Sequence, residues 1–306
     1  MDTNRIMSLM PEMVTFVTVI EQGSFSKAAV KLGVMPSSVS RSISKLEKML
    51  EQKLIERTTR SLRLTSIGED VFQLCLDMLK FAKQAVDAAQ VNQNTVSGDL
   101  TVAAPKALAR QVLMPIVLAF IRIYPNVSLK WKIADHYIDP IGGEVDLVIH
   151  ITDNPVEGLI AKKMGRVKRI ACANLNYIQQ HGLPTHPNDL MEHQCIGYGE
   201  TAADNSWTLS HHNKKHTIKI KGPLAVNHSE IRREAVLQGL GISIFPDFTV
   251  SKYLDSGQLI QVLPEWHIKG DYQGNVVAQY PQSKYIPNQL KAFIDFLTER
   301  YDHSNS

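Results

Sequence analysis

Apolar positions in the first fifth of the chain recur at helical spacing in short blocks. Ala28, Ala29 and Leu32 predict one helix with a small-residue face, opened by Ser24 or Ser26 as its cap. Gly33 supplies the backbone freedom to leave it sharply, and Pro36 suits the first turn of the next helix. There Val39, Ile43, Leu46 and Leu50 follow at spacings of four, three and four, one buried stripe. Leu54 to Arg57 and Ser61 to Leu64 read as two short strands joined by Thr58, Thr59 and Arg60. A long helix is predicted over residues 66–92, with Ser66 and Glu69 at capping-box spacing. Its stripe is Val71, Leu74, Cys75, Met78, Ala82, Ala85, Val86 and Ala89, which either packs on its own domain or pairs with a second copy.

The polar stretch 91–99 reads as a hinge, and beyond it the period changes. Residues 100–104 predict a strand and 107–123 a helix; a strand from Val127, a short helix near Ile138 and a strand through residues 146–151 follow. A second set begins at 169–173, with a helix over 174–181, a strand near Cys195, a helix over 229–238, a strand at 242–245 and a helix over 249–255. Residues 275–280 and 287–301 return to the first set. Such alternation predicts a mostly parallel α/β sheet, here in two lobes joined by two crossing strands around a cleft.

Charge changes the reading of the first block. The helix face opposite the apolar stripe carries Ser37, Arg41, Ser44 and Lys48 with Lys45 beside them, and Lys53, Arg57, Arg60 and Arg63 line the hairpin against Glu56. Residues 1–66 hold ten Lys and Arg against six Asp and Glu, whereas the other 240 hold 23 against 24. The whole positive excess therefore lies where a polyanion would be gripped. Alone, such a helix face is equally a solvated one; the basic hairpin directly after it favours a DNA reader with Ser24, Ser26, Pro36, Ser37, Ser38, Ser40, Arg41, Ser44, Lys45, Lys53, Arg57, Arg60 and Arg63 at the contact.

The block resembles the N-terminal domain of the LysR-type transcriptional regulators. The resemblance is carried by Phe16, Gly23-Ser24-Phe25, Ala28-Ala29, Leu32, Val39-Ser40-Arg41, Ile43, Leu46-Glu47, Leu54, Arg57, Leu64-Thr65 and Gly68. It extends more loosely over the second part through Pro115, Tyr124-Pro125, Gly239-Leu240-Gly241 and Pro246. It implies a winged helix-turn-helix over residues 1–65, a linker and dimerisation helix over 66–92, and a periplasmic-binding-protein-like α/β effector domain over 93–306. Within that domain lobe 1 spans about 98–168 and 272–301, and lobe 2 about 169–271. A homodimer or homotetramer on an interrupted inverted repeat of double-stranded DNA is implied, switched by a small metabolite, with RNA polymerase as a further partner. Two departures stand out. Met35, Pro36 and Ser37 replace a polar cap, a Gln and a Pro, and Leu50-Glu51 with Leu54-Ile55 replaces a Leu-Gly-Leu-Phe run.

Ligands of α/β sheets lie beyond the carboxyl ends of strands, near helix N-termini. That nominates Lys106, Ala107, Leu108, Asp135, His150, Thr152, Asn227 and Ser229, with Tyr198, Phe245 and Phe248 as an apolar wall. Lys106 is the candidate carboxylate partner, and Asn227 or Ser229 would also cap the helix after them. Cys75, Cys172 and Cys195 form no CxxC and read as buried thiols of a reducing cytoplasm. His211 and His216 are five apart and His212 and His216 four apart, but the surrounding residues read as a turn entering a strand rather than a metal-binding helix. No cofactor, catalytic constellation, signal peptide or apolar run of 18 residues is found, so a non-enzymatic, cytoplasmic, nucleoid-associated protein is expected. The competing reading is a small-molecule-binding protein or enzyme whose N-terminal segment serves only dimerisation.

Overall fold

In the computed structural model the described residues are 3–57, 62–89 and 96–304, apart from 142, 200, 213, 271 and 284. They form two compact units, Met1–Asn94 and Thr95–Ser306. The first contains α1 (Thr3–Gln22), α2 (Phe25–Leu32), α3 (Pro36–Leu50), the antiparallel pair β1 (Ile55–Arg57) and β2 (Leu62–Leu64), and α4 (Ser66–Ala89). Its core gathers Leu9, Phe16, Val19, Ala28, Ala29, Val39, Ile43, Leu46, Leu54 and Cys75.

Local chemistry explains these boundaries. Ser24 caps α2 by accepting the Lys27 N–H, and Gly33 ends it at φ 67°, after which the Val34 N–H returns to the Ala29 carbonyl. The long helix is capped one residue earlier than expected: Thr65, not Ser66, accepts the Gly68 N–H, and its hydroxyl donates to the Lys53 carbonyl. Gly68 is required there, since a Cβ would collide with the Leu54 carbonyl. The stripe of α4 divides. Val71 and Cys75 pack on the core of their own unit, while Leu74 and Val86 stay exposed, as does Phe81 outside the predicted stripe.

The second unit comprises β3 (Gly98–Ala104), α5 (Lys106–Leu108), α6 (Met114–Ile123), β4 (Val127–Ile133), β5 (Leu147–Thr152), β6 (Leu159–Val167), β7 (Arg169–Asn174), α7 (Leu175–His181), β8 (Ser206–His211), β9 (Lys214–Lys219), α8 (Ser229–Leu237), β10 (Ser243–Pro246), α9 (Asp247–Asp255), β11 (Leu259–Val262), β12 (His267–Lys269), β13 (Gly274–Pro281) and α10 (Asn288–Ser304). A π-turn over Ala109–Leu113 joins α5 to α6, just before Pro115 removes a backbone donor.

Lobe 1 is the sheet β4-β3-β5-β13-β6 with α6 and α10 over its core. Lobe 2 holds two sheets, β10-β7-β11 and β12-β8-β9. The expectation of a mostly parallel arrangement is corrected: β3 runs parallel to β4 and β5, but every other named strand pair is antiparallel. The physical reason is the double crossing. The chain leaves lobe 1 along β6 and returns along β13, so the two pair in opposite directions. The helix expected near Ile138 is absent, since Pro140 and a bonded turn to Gly143 occupy that segment. The strand near Cys195 is a pair of isolated parallel bridges, Cys195 to Ile242 and Gly197 to Ala225.

Candidate DNA-binding face and interlobe cleft

α3 buries Val39, Ile43, Leu46 and Glu47 and turns Pro36, Ser37, Arg41, Ser44, Lys45 and Lys48 outward. Ser26 is exposed on α2, Ser38 and Ser40 are half-buried, and Arg63 is exposed on β2. Arg41 folds back along its helix, donating from Nε to the Ser37 carbonyl and from Nη2 to the Ser38 hydroxyl. Arg60 and the side chain of Arg57 lie outside the described residues.

Three of the predicted contacts carry structural duties, two of which the sequence reading missed. Lys45 pairs with Glu12 at 2.6 Å, and Lys53 pairs with Glu47 at 2.9 Å; both carboxylates are buried. The Ser24 hydroxyl is spent on the cap. As expected, Met35 gives α3 no side-chain cap, and Pro36 stands in its first turn.

The cleft of the second unit is built where the two crossings meet. Lys168 and Asp247 exchange hydrogen bonds at 2.9 Å in both directions, and Arg169 Nη1 donates to the Lys269 carbonyl at 2.8 Å. Gly270 permits that bond, since a Cβ would overlap the Arg169 guanidinium. On the lobe 1 side Asp135 accepts the backbone N–H of Lys106 at 3.0 Å, pairs with its ammonium at 3.4 Å, and receives the Tyr272 hydroxyl. Burial, with the Asp135 charge, pushes the Tyr272 phenol up, so it stays a donor. Ala107 is half-buried beside this group and acts on Tyr272 through its backbone. Across the cleft, Arg110 faces Glu230 at 3.7 Å and Arg233 Nη1 donates to Gln111 at 3.4 Å and to the Thr249 carbonyl at 3.2 Å.

Other nominated residues are elsewhere or otherwise engaged. Leu108 is wholly buried in the lobe 1 core and Phe245 in that of lobe 2. Phe248, from lobe 2, packs against the lobe 1 core. His150 bonds through Nε2 to Gln279 Oε1 at 2.7 Å, whose amide also clasps the Val156 backbone. This network makes His150 a donor at Nε2, and burial lowers its pKa against the smaller opposite effect of Gln279. The Thr152 hydroxyl closes a turn with Asn154. Neither Asn227 nor Ser229 caps α8: the cap position is His228, which makes no side-chain hydrogen bond. Tyr198 is half-buried beneath the Arg232 guanidinium.

Cys75, Cys172 and Cys195 are free and buried, and burial pushes Cys172 and Cys195 up to about 12. His211 ends β8 and His216 lies on the paired β9, so this segment is a hairpin. Among the described residues no His, Cys, Asp and Glu group is arranged to hold a metal, and no helix is long and apolar enough to cross a membrane.

Residues 10–69 match the family described as bacterial regulatory helix-turn-helix protein, lysR family, and residues 93–302 match the LysR substrate binding domain. The chain belongs to the LysR-type transcriptional regulators. It is 41% identical to the probable HTH-type transcriptional regulator LtrA of Klebsiella pneumoniae, over 96% of this chain and 95% of that one. The full-length structure of the Vibrio cholerae virulence activator AphB matches at 27% identity and a TM-score of 0.61, covering 94% of this chain and 97% of that one. CrgA of Neisseria meningitidis matches at 30% identity and 0.60, covering 95% and 98%. As a LysR-type member the protein is a DNA-binding, ligand-responsive transcription regulator and not an enzyme, which removes the competing reading. The tyrosine on the second crossing and the arginine on α8 escaped the sequence reading. The signal for Arg232 was available, a cation on the same helical stripe as Ala235 and Val236.

Proposed function

We propose that this regulator holds an interrupted inverted repeat of promoter DNA as a homodimer or homotetramer. Each α3 enters a major groove, with Pro36, Ser37, Arg41 and Ser44 toward base edges and Ser26, Ser38 and Ser40 toward the backbone. The wing, with Arg57, Arg60 and Arg63, takes flanking phosphates. The observation that carries this reading is the exposed face of α3, where serine hydroxyls alternate with Arg41, Lys45 and Lys48 above the buried stripe of Val39, Ile43 and Leu46.

α4 supplies the dimer seam, supported by the exposure of Leu74, Phe81 and Val86. The partition is a reader over 1–65, a linker helix over 66–92 and an effector domain over 93–306. The effector enters the cleft lined by Lys106, Ala107, Asp135, Tyr198, Asn227 and Ser229. Its binding energy shifts the lobes and thereby the spacing of the paired readers. The complex works in the cytoplasm, on the nucleoid, and presents promoter DNA to RNA polymerase.

A footprint of the purified protein upstream of its own gene, at low and moderate salt, tests this. The expected result is two protected half-sites separated by a gap that survive the higher salt. Uniform protection that fades with salt removes the proposal.

A further inference from the structure

Arg232 is only 6% exposed, yet its Nε has no hydrogen-bond partner. The guanidinium lies 4.9 Å from the Tyr198 ring centroid and 5.4 Å from that of Phe245. Aromatic faces recover part of the lost hydration, but they leave the directed Nε–H donor unused. Burial above all holds this group down to about 10; Tyr198 and Asp204 favour its charge through space, and Arg169 opposes it. An arginine kept buried at such cost, with a donor unfilled, is poorly explained by stability alone.

Its surroundings lead toward the two crossings. Arg169, which repels it, stands where the first crossing enters lobe 2 and bonds to the second. Tyr198, which stacks on it, is electrostatically coupled to Tyr272 on the second crossing. Tyr272 donates to Asp135, and Asp135 holds Lys106. Contacts thus run from Lys106 in lobe 1 through Asp135 to Tyr272, and the line continues through space, by way of Tyr198, to Arg232 in lobe 2. Its lobe 1 end is already neutralised, because Asp135 fills both the ammonium and the N–H of Lys106. Its lobe 2 end keeps the Arg232 Nε donor unfilled. There α8 also begins without a side-chain cap, adding backbone N–H groups of the right polarity.

We propose that Arg232 anchors the carboxylate of the cleft ligand, a small organic monocarboxylate. This rests on the reading that the cleft is the effector site. One unfilled cationic pole accepts one negative charge, and the pole closed by Asp135 suits a neutral or hydrogen-bonding group of the ligand.

The test is thermal unfolding of the full-length protein with acetate, lactate and benzoate, each against its amide at equal ionic strength. At least one acid should raise the midpoint above its amide, and Arg232→Met should weaken that acid at least ~30-fold. The Arg232→Met protein without ligand should unfold at the same temperature or higher, as expected when a buried charge is replaced by an apolar side chain of similar volume. If it does not fold, Arg232→Lys serves: it keeps the charge but not the fork and should retain only part of the shift. No acid exceeding its amide, or an undiminished shift in either variant, overturns the proposal. Footprints with the same compounds separate the two readings. An amide that stabilises the protein and alters the footprint keeps the effector cleft and removes the Arg232 anchor. An Arg232-dependent acid shift with an unchanged footprint keeps the anchor and removes the effector role.

Discussion

Lys53 Nζ lies 2.9 Å from Oε2 of Glu47, whose other oxygen accepts the backbone N–H of Leu54 at 3.0 Å and of Ile55 at 3.2 Å. One buried carboxylate therefore ties the last turn of α3 to the first strand of the wing. Burial pushes this carboxyl up, but Lys53 and the two N–H groups outweigh it and hold the group below its ordinary 4.5. Glu47→Ala orphans two backbone donors and should cost about 2–4 kcal/mol. Lys53→Ala, with a side chain 81% exposed, should cost under ~1 kcal/mol. Hydrogen exchange at Leu54 and Ile55 reads both, and equal acceleration in the two variants would contradict this division. The folded pKa is depressed, so the contribution is present above about 4.5 and lost as pH falls through the lowered value. Glu47→Gln should flatten that acid arm.

Arg41 and Lys45 sit four residues apart on α3 but should respond differently to truncation. Arg41 bonds only within its own helix, so Arg41→Ala should leave the fold intact and weaken operator binding by ~1–3 kcal/mol. Lys45 faces the buried Glu12, whose Oε2 already lacks a partner. Lys45→Ala should therefore destabilise the domain by roughly 1–3 kcal/mol. Paired denaturation and DNA titrations check this, and a Lys45 variant of unchanged stability would refute it.

Two ends of α3 run against local preference. Met35 provides no cap, so Met35→Ser should add about 1 kcal/mol. Glu51 closes the helix at φ 56°, a left-handed position that favours glycine, and Glu51→Gly should add about 1 kcal/mol. Denaturant midpoints decide, with a loss in either variant counting against the local account.

His150 is stabilised neutral, since burial depresses its pKa below 6.5 in the folded chain. The unfolded chain then binds the extra proton, so stability falls as pH drops below about 6.5 and levels off once both states are protonated. His193 adds in the same direction, again chiefly through burial. His150→Asn should lessen the slope of unfolding midpoint against pH in that window, and an identical slope would exclude His150 as a source.

Phe81 is 66% exposed and Leu74 68% exposed on α4, seven residues apart and so on one line of the helix. Phe81→Asp with Leu74→Asp should split the assembly in sedimentation velocity and weaken operator binding, while the monomer stays folded. Retention of the wild-type sedimentation coefficient would move the seam elsewhere.

From α2 onward the reader was legible in the sequence, whereas α1 was not read from it. Ser24, Gly33 and Pro36 act through bonds and angles set within a few residues of themselves, and the stripe of Val39, Ile43 and Leu46 follows from the helical period. The effector domain was legible as elements but less so as pairings. Antiparallel insertion of β13 between β5 and β6 joins residues more than 100 positions apart, which no local period encodes.

The sequence by itself determined the helix-turn-helix and wing, the main strand–helix alternation of the effector domain, the basic excess of the first fifth, and the family. Each depends on local backbone preference, side-chain period and net charge. Only the tertiary structure decided which charges are committed. Glu12 and Glu47 claim Lys45 and Lys53, Asp135 claims Lys106, and Arg232 is buried against two rings with a donor unfilled. The reason is physical: whether a charge is paired depends on distances of a few ångströms between segments remote in the chain, and those distances exist only after folding.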